Sequence, residues 1–229
     1  MESGKIRYIL WDFDGVFTFD NYDAISNAFS ESSGIEIGEI EARIGEFERR
    51  YVLVRDLKNN FLKELKREFN FPGPIEKIRD LMNDRGDTGL YELLSRFEES
   101  GIKQSILSNQ IGFRVPYVRD QLQKRFGIDM FAHVYLSPEI GLQKPFVGVK
   151  HNEKESAMDT TNVDIFPLVV KDAKKLGYGL RECLFIDDSQ KNIDSAQSCG
   201  IQGMLFTPEY QKDLNLFLRD LESQYGIKV

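Results

Sequence analysis

Short apolar runs alternate with segments of helical periodicity along most of the chain. The first run begins at Tyr8, and others cover residues 104–108, 133–137, 183–187 and 204–206. Their length and composition are typical of buried β-strands. Helices are predicted between them at residues 90–99, 113–126, 165–176 and 190–199. Strands that alternate with helices predict an α/β fold, with a parallel sheet covered by helices on both faces.

A long helical segment interrupts this alternation after the first strand. Residues 20–86 contain no strand-like run, and their apolar residues recur at helical spacing. The two clearest series are Ile40, Ile44, Phe47, Tyr51 and Val54, and then Leu57, Phe61, Leu65 and Phe69. We therefore predict a core domain of residues 1–19 and 87–229, with a helical domain of residues 20–86 inserted into it.

Residues 147–163 fit neither pattern, because they are polar and have no apolar period. Loops of this length are either functional lids or disordered. We predict a mobile loop within the core domain.

Composition narrows the classes of function. A net charge of −7 argues against nucleic-acid binding, which calls for clustered Lys and Arg. No segment approaches the about 20 apolar residues needed to cross a bilayer, and the first strand starts too early to leave room for a signal peptide. Cys183 and Cys199 have no spacing typical of zinc or disulfide frameworks. We expect a cytoplasmic protein that binds neither nucleic acid nor membrane.

Asp12 and Asp14 end the first apolar run. Burying an unpaired charge is unfavourable, so carboxylates in such a setting need a partner. A hard divalent cation such as Mg²⁺ would provide one. The alternative is a strand end with two solvated aspartates, and the pair alone does not distinguish the two.

Polar residues also follow the other predicted strands. In an open parallel sheet, ligands bind beyond the carboxyl ends of the strands. We therefore expect one site at this edge, formed by Asp12, Asp14, Ser108, Asn109, Lys144, Asp187 and Asp188.

Such a set suits phosphoryl transfer to a carboxylate. An aspartate can attack an anionic phosphate ester only if a cation offsets the repulsion. A hydroxyl and an ammonium group, here of Ser108 and Lys144, can hold the transferring oxygens. A second carboxyl group can protonate the leaving alkoxide and later deprotonate water.

The motifs Asp12-Phe13-Asp14-Gly15-Val16, Ser108-Asn109, Lys144-Pro145 and Asp187-Asp188-Ser189 occur in this order. In this respect the chain resembles the haloacid-dehalogenase-like (HAD) phosphohydrolases. The resemblance extends from about Tyr8 to Phe206, apart from the long loop and much of the inserted segment. It implies a Rossmann-like core with a helical cap inserted after the first motif.

The resemblance also implies roles for the residues of the first motif. Asp12 would be the nucleophile and a magnesium ligand. Asp14 would be the general acid/base and would bind the metal through its backbone carbonyl.

The other motifs would hold the phosphoryl group and the metal. Ser108, the Asn109 amide and Lys144 would bind the phosphoryl group, and Lys144 would also keep Asp12 ionised. Asp188 would bind Mg²⁺ directly, and Asp187 through water.

Asp14 favours phosphate chemistry, because the dehalogenases that give the family its name lack this aspartate. Related mutases carry a histidine in the first cap helix, and residues 17–31 contain none. We expect a magnesium-dependent phosphatase acting on a small phosphorylated metabolite. The alternatives are a phosphotransferase or phosphomutase of the same superfamily, a non-catalytic phospho-acceptor module similar to response-regulator receivers, and a catalytically silent binding scaffold.

Overall fold

A parallel β-sheet lies at the centre of the computed structural model, which describes residues 5–19, 22–127, 130–144 and 164–229. Within these residues the sheet has five strands, in the order β3-β2-β1-β4-β5. They are β1 (Tyr8–Trp11), β2 (Lys103–Ser108), β3 (Phe131–Leu136), β4 (Cys183–Asp187) and β5 (Gln202–Leu205). The chain builds outward from β1 on one side and then returns to its other side at β4, so β1 lies at the switch point where such sheets bind ligands.

The first four α-helices after β1 in the described part of the chain are α1 (Asp23–Ser33), α2 (Ile37–Tyr51), α3 (Asn60–Glu68) and α4 (Ile75–Asn83). We call α1–α4 the inserted helices. The remaining helices are α5 (Leu94–Glu99), α6 (Val115–Phe126), α7 (Ser137–Ile140), α8 (Phe166–Lys175), α9 (Gln190–Ser198), α10 (Pro208–Lys212) and α11 (Leu214–Tyr225). None of the described helices is long and apolar enough to cross a membrane.

Both faces of the sheet are buried. Successive residues of a strand point to opposite faces, so neighbouring residues of β1 belong to different hydrophobic clusters. Ile9 and Trp11 of β1 belong to a cluster that includes residues of α5, α6 and α11. Tyr8 and Leu10 belong to another cluster with residues of α8 and α9. The predicted fold class, a parallel α/β core with inserted helices, is confirmed.

The inserted helices have a hydrophobic cluster of their own, which includes Ile40, Ile44, Phe61 and Leu65. Ile111 and Phe113, which follow β2, join this cluster and connect the inserted helices to the core. The exact boundaries at residues 20 and 86 stay a prediction.

The predicted periodicity is wrong at two apolar positions. Val54 and Leu57 are 43% and 91% exposed, because α2 ends at Tyr51 and α3 begins only at Asn60. Asp56 occupies the buried position in this connection, 6% exposed. Its carboxylate accepts hydrogen bonds from the backbone N–H groups of Asn60 (2.7 Å) and Phe61 (2.9 Å). The first N–H groups of a helix have no carbonyl partner within that helix. They therefore favour a carboxylate at position 56 over an apolar side chain.

The loop predicted at residues 147–163 lies outside the described residues.

We expect Asp56→Ala to lower the free energy of unfolding by about 1–2 kcal/mol, because α3 loses the acceptor for its first N–H groups. Denaturant unfolding followed by circular dichroism measures the change. Leu57→Ser is the control, and should change the value by less than about 0.5 kcal/mol because its side chain is exposed. Equal losses in both variants would contradict the helix-capping role.

Candidate active site

The pairing of β1 with β2 and β4 brings the motif residues to one edge of the sheet. Trp11 pairs in register with Ile106 and Ile186, and the Asp12 N–H group extends the ladder to the Ile186 carbonyl at 2.9 Å. Asp12 and Asp187 therefore follow neighbouring positions on adjacent strands. Ser108, 2% exposed, ends β2 at the same edge.

Lys144 joins the ends of β1 and β4. Its Nζ atom lies 2.6 Å from Asp12 Oδ2 and 2.6 Å from Asp187 Oδ2, although the lysine is only 1% exposed. Burial by itself would lower the pKa of Lys144, but Asp12 and Asp187 outweigh burial and raise it. The lysine is therefore a fixed positive charge between two strands.

Asn109 positions Lys144 through its side chain. The Lys144 N–H group donates to Asn109 Oδ1 at 2.8 Å, and Asn109 Nδ2 donates to the Lys144 carbonyl at 3.2 Å. These reciprocal bonds hold the segment after α7 against the end of β2. The phosphate contact predicted for the Asn109 amide stays a prediction.

Asp12 is buried, with 6% of its surface exposed, and its Oδ1 accepts a hydrogen bond from the Phe13 N–H group at 2.7 Å. Burial raises the pKa of Asp12 well above its ordinary value, Lys144 opposes this effect, and Asp187 and Asp188 add to it. An additional cation beside these carboxylates would favour the ionised form of Asp12.

Asp12, Asp187 and Asp188 form an acidic cluster that could hold such a cation. Each offers one carboxylate oxygen, and these oxygens all lie within 4.8 Å of one another. Three carboxylates exceed the single charge of Lys144, and oxygen donors are the ligands that Mg²⁺ prefers. The residues therefore fit a magnesium ion.

The two aspartates that end β4 differ in their surroundings. Asp187 is fully buried, and its Oδ1 accepts from the Ser189 N–H group (2.8 Å) and Asn192 Nδ2 (2.9 Å), while Oδ2 accepts from Lys144. Asp188 is exposed. Asp188 is therefore the better placed of the two to bind a cation directly.

Gly15 makes room for Asp188. Its φ of 78° lies in the left-handed region, and a Cβ atom there would lie 2.0 Å from Asp188 Oδ2. Gln211 Nε2 donates to the Gly15 carbonyl at 2.7 Å, which ties this turn to α10. A side chain at position 15 would displace the carboxylate of Asp188.

The environment of Asp14 differs from that of Asp12, because two arginines face Asp14, whereas Asp12 has two carboxylates as well as Lys144 beside it. Arg114 donates to both of its carboxylate oxygens, Arg85 Nη1 lies 3.4 Å from Oδ1, and Gln110 Nε2 donates to Oδ2 at 2.8 Å. Burial would raise the pKa of Asp14, but the charges of Arg114 and Arg85 outweigh burial and hold it well below its usual range. Asp14 is therefore ionised by the protein's own side chains.

Three residues around Asp14 were not predicted from the sequence, namely Arg85, Arg114 and Gln110. Gln110 and Arg114 follow Ser108 closely, and their place beyond the end of a predicted strand is a signal that could have identified them. Arg85 follows the inserted helices, where nothing in the pattern indicates contact with Asp14.

We expect Lys144→Met to lower the free energy of unfolding by about 3–5 kcal/mol near neutral pH, because Asp12 and Asp187 lose their buried counter-charge. Lys124→Met is the control, since Lys124 pairs with Asp120 at the surface and its side chain is 70% exposed. That variant should change the value by less than about 1 kcal/mol. Denaturant titration measures the free energy of unfolding of both variants. A similar loss in Lys144→Met and Lys124→Met would refute the structural importance of the buried lysine.

No protein-family model matches this sequence, and no curated protein matches it either. Solved structures do match. The HAD family enzyme BT-2542 from Bacteroides thetaiotaomicron is 23% identical, with a TM-score of 0.69 over 93% of this chain and 98% of that chain. The same enzyme in complex with magnesium and inorganic phosphate gives 22% identity and a TM-score of 0.64 over 87% and 93%.

Two further structures extend the comparison. A predicted HAD-like family hydrolase from Porphyromonas gingivalis is 22% identical, with a TM-score of 0.64 over 94% of this chain and 99% of that chain. L-2-haloacid dehalogenase from Xanthobacter autotrophicus, with chloropropionic acid covalently bound, is 14% identical, with a TM-score of 0.55 over 97% and 85%. The chain therefore has the fold of the HAD enzymes, a parallel α/β core with helices inserted after its first strand.

Proposed function

We propose that this protein is a magnesium-dependent phosphatase of the HAD family that hydrolyses a small phosphorylated metabolite through an aspartyl-phosphate. The observation that carries the proposal is the position of Lys144 Nζ, 2.6 Å from both Asp12 and Asp187, within reach of an acidic cluster that also contains Asp188. BT-2542, which has the same fold, binds magnesium and inorganic phosphate. That similarity supports the proposal.

In the first step, Asp12 attacks the phosphorus atom of the substrate. A bond forms between the carboxylate oxygen and phosphorus, and the bond from phosphorus to the ester oxygen breaks. Asp14 acts in this step in its protonated form and gives its proton to the leaving alkoxide. Because Arg114 and Arg85 favour the ionised form, Asp14 must take up this proton before the step. In the second step, Asp14 takes a proton from water, which attacks phosphorus and releases Asp12 and inorganic phosphate.

Asp12 and Asp188 would bind Mg²⁺ directly, with Asp187 acting through water and Asp14 through its backbone carbonyl. When bound, Mg²⁺ would offset the repulsion between the anionic phosphate and the Asp12 carboxylate. The exposure of Asp188 and the engaged oxygens of Asp187 support this division.

Ser108, the Asn109 backbone amide and Lys144 would hold the phosphoryl oxygens. Lys144 suits this role because Asp12 and Asp187 hold its ammonium group and the Asn109 side chain holds its backbone. A donor fixed in advance stabilises developing charge without reorganisation.

Asp14 favours phosphate-ester hydrolysis over dehalogenation, although the X. autotrophicus dehalogenase has a related fold. A halide leaves without a proton, whereas an alkoxide requires an acid. The net charge of −7 favours a small substrate over nucleic acid, and we propose a cytoplasmic location for the enzyme.

We expect Asp12→Asn to reduce phosphate release from p-nitrophenyl phosphate to the uncatalysed level, because the amide cannot attack phosphorus. Phosphate release in the presence of Mg²⁺ is the measurement, and thermal unfolding verifies that the variant folds. Asp194→Asn, at an exposed position of α9, is the control and should retain activity. Undiminished turnover by a folded Asp12→Asn protein would refute the proposed nucleophile.

We expect EDTA to abolish phosphate release and added Mg²⁺ to restore it. Mg²⁺ should also raise the Tm of the wild type, because a ligand that binds the folded state stabilises it. In Gly15→Ala this increase should be much smaller, since the new Cβ atom displaces Asp188.

Gly101→Ala is a matched control for Gly15→Ala. Both glycines have a φ of 78°, so alanine at either position strains the backbone by about 1–2 kcal/mol. No described atom lies within 4 Å of a Cβ atom at position 101. The Tm increase with Mg²⁺ should therefore persist in Gly101→Ala, and its equal loss in both variants would argue against Asp188 as a ligand.

A further inference from the structure

Arg114 and Arg85 hold the carboxylate of Asp14 at a partly buried position. Arg114 Nη1 donates to Oδ2 at 2.5 Å and Nη2 donates to Oδ1 at 3.0 Å, which is the bidentate geometry of the strongest arginine–carboxylate pairs. Arg85 Nη1 lies 3.4 Å from Oδ1. The side chains of Arg114 and Arg85 are each 2% exposed, and that of Asp14 is 20% exposed. The ion pair between Arg114 and Asp14 is therefore largely shielded from water. Ion pairs at the protein surface, by contrast, are exposed to water and mostly weak.

Neutral donors complete the environment of Asp14. Gln110 Nε2 donates to Oδ2 at 2.8 Å, and Thr18 Oγ1 donates to Oδ1 at 3.1 Å. Gln110 Nε2 also lies 3.1 Å from Ser108 Oγ. The orientation of the Asp14 carboxylate is thereby fixed relative to the end of β2, where the phosphoryl group is proposed to bind.

Arg114 also contacts the inserted helices, and Arg85 contacts Tyr22, which directly precedes α1. Arg114 Nε donates to Asn83 Oδ1, at the end of α4, at 3.3 Å. Arg85 Nη2 donates to Tyr22 Oη at 3.2 Å, and Tyr22 in turn donates to Glu48 of α2 at 2.7 Å. The position of Asp14 thus depends on contacts that join the inserted helices to the core.

We propose that Arg114 and Arg85 are positioning residues for Asp14, which aim its carboxylate at the ester oxygen and at the attacking water. This inference rests on the proposed phosphatase function and adds residues that act through Asp14 rather than on the substrate. Proton transfer requires donor and acceptor within about 2.6–3.2 Å. A carboxylate released from a bidentate arginine rotates, so its distance to the reacting oxygens is no longer defined.

The test is a double-mutant cycle between Arg114 and Asp14, with an alkyl phosphate that the wild type hydrolyses as substrate. Arg114→Gln should lower kcat at least about tenfold, and its KM should stay within about threefold of the wild-type value. In the Asp14→Asn background, Arg114→Gln should lower kcat no further, because a residue that acts through Asp14 has no effect once that carboxylate is absent. Multiplicative losses in the double variant would overturn the inference, as would a change confined to KM.

A burst experiment with p-nitrophenyl phosphate gives a second readout. p-Nitrophenolate leaves without a proton, so Arg114→Gln should still release about one equivalent rapidly and then turn over slowly, because water is no longer deprotonated efficiently. A purely structural defect would reduce the burst and the steady rate together, and that result would contradict the positioning role.

Matched variants separate geometry from charge. Arg114→Lys keeps the charge but cannot form the bidentate pair, so its kcat should lie between those of the wild type and Arg114→Gln. Arg119→Gln is the control on α6, since Arg119 pairs with Glu139 at the surface and should keep wild-type kcat. If Arg114→Gln does not fold, Arg85→Gln in the same cycle provides the test, with the same expected result and the same contradicting one.

Failure of this inference can be distinguished from failure of the proposed function. A wild type that releases no phosphate from alkyl or aryl phosphates overturns both. If turnover by the wild type depends on Asp12 but the losses in the cycle are multiplicative, the phosphatase proposal stands. Only the positioning role is then overturned.

Discussion

The buried ammonium group of Lys144 is the interaction on which the rest of the site depends. It lies between Asp12 and Asp187, which end adjacent strands, and counters two carboxylates that would be unfavourable to bury alone. The strand register places the aspartates side by side, and Asn109 holds the lysine in place through its backbone. Sheet pairing, loop position and charge balance are therefore coupled at this point.

Asp12 and Asp14 are two residues apart and yet lie in opposite electrostatic environments. Burial and the neighbouring carboxylates raise the pKa of Asp12, while Arg114 and Arg85 lower the pKa of Asp14. Acidic residues whose environments separate their pKa values are typical of sites where they have different roles. An additional cation would favour the ionised form of Asp12, whereas Arg114 and Arg85 already favour that of Asp14. This difference is consistent with a metal-assisted nucleophile beside a separate acid/base.

Sequence pattern located the core elements well and their connections less well. The run at residues 183–187 coincides with β4, because a central strand is buried on both faces and is continuously apolar. The helices predicted from apolar periodicity extended too far, to Val54 and Leu57. In the structure the Asp56 carboxylate lies in this connection and accepts hydrogen bonds from the first N–H groups of α3. Helix α11 was not predicted from the sequence pattern, although its Phe217 packs against Trp11 with ring centroids 6.3 Å apart. Such a contact joins residues far apart in the chain.

The amino-acid sequence by itself determined the parallel α/β core and the polar residues at its edge. Strand direction places Asp12, Ser108 and Asp187 at carboxyl ends that must meet, whatever the details of packing. Only the tertiary structure decided which side chains hold these groups in place. The Asn109 side chain bonds the Lys144 backbone, and Arg114 and Arg85 pair with Asp14. The physical reason is that these contacts join side chains far apart in the chain, which no local periodicity encodes.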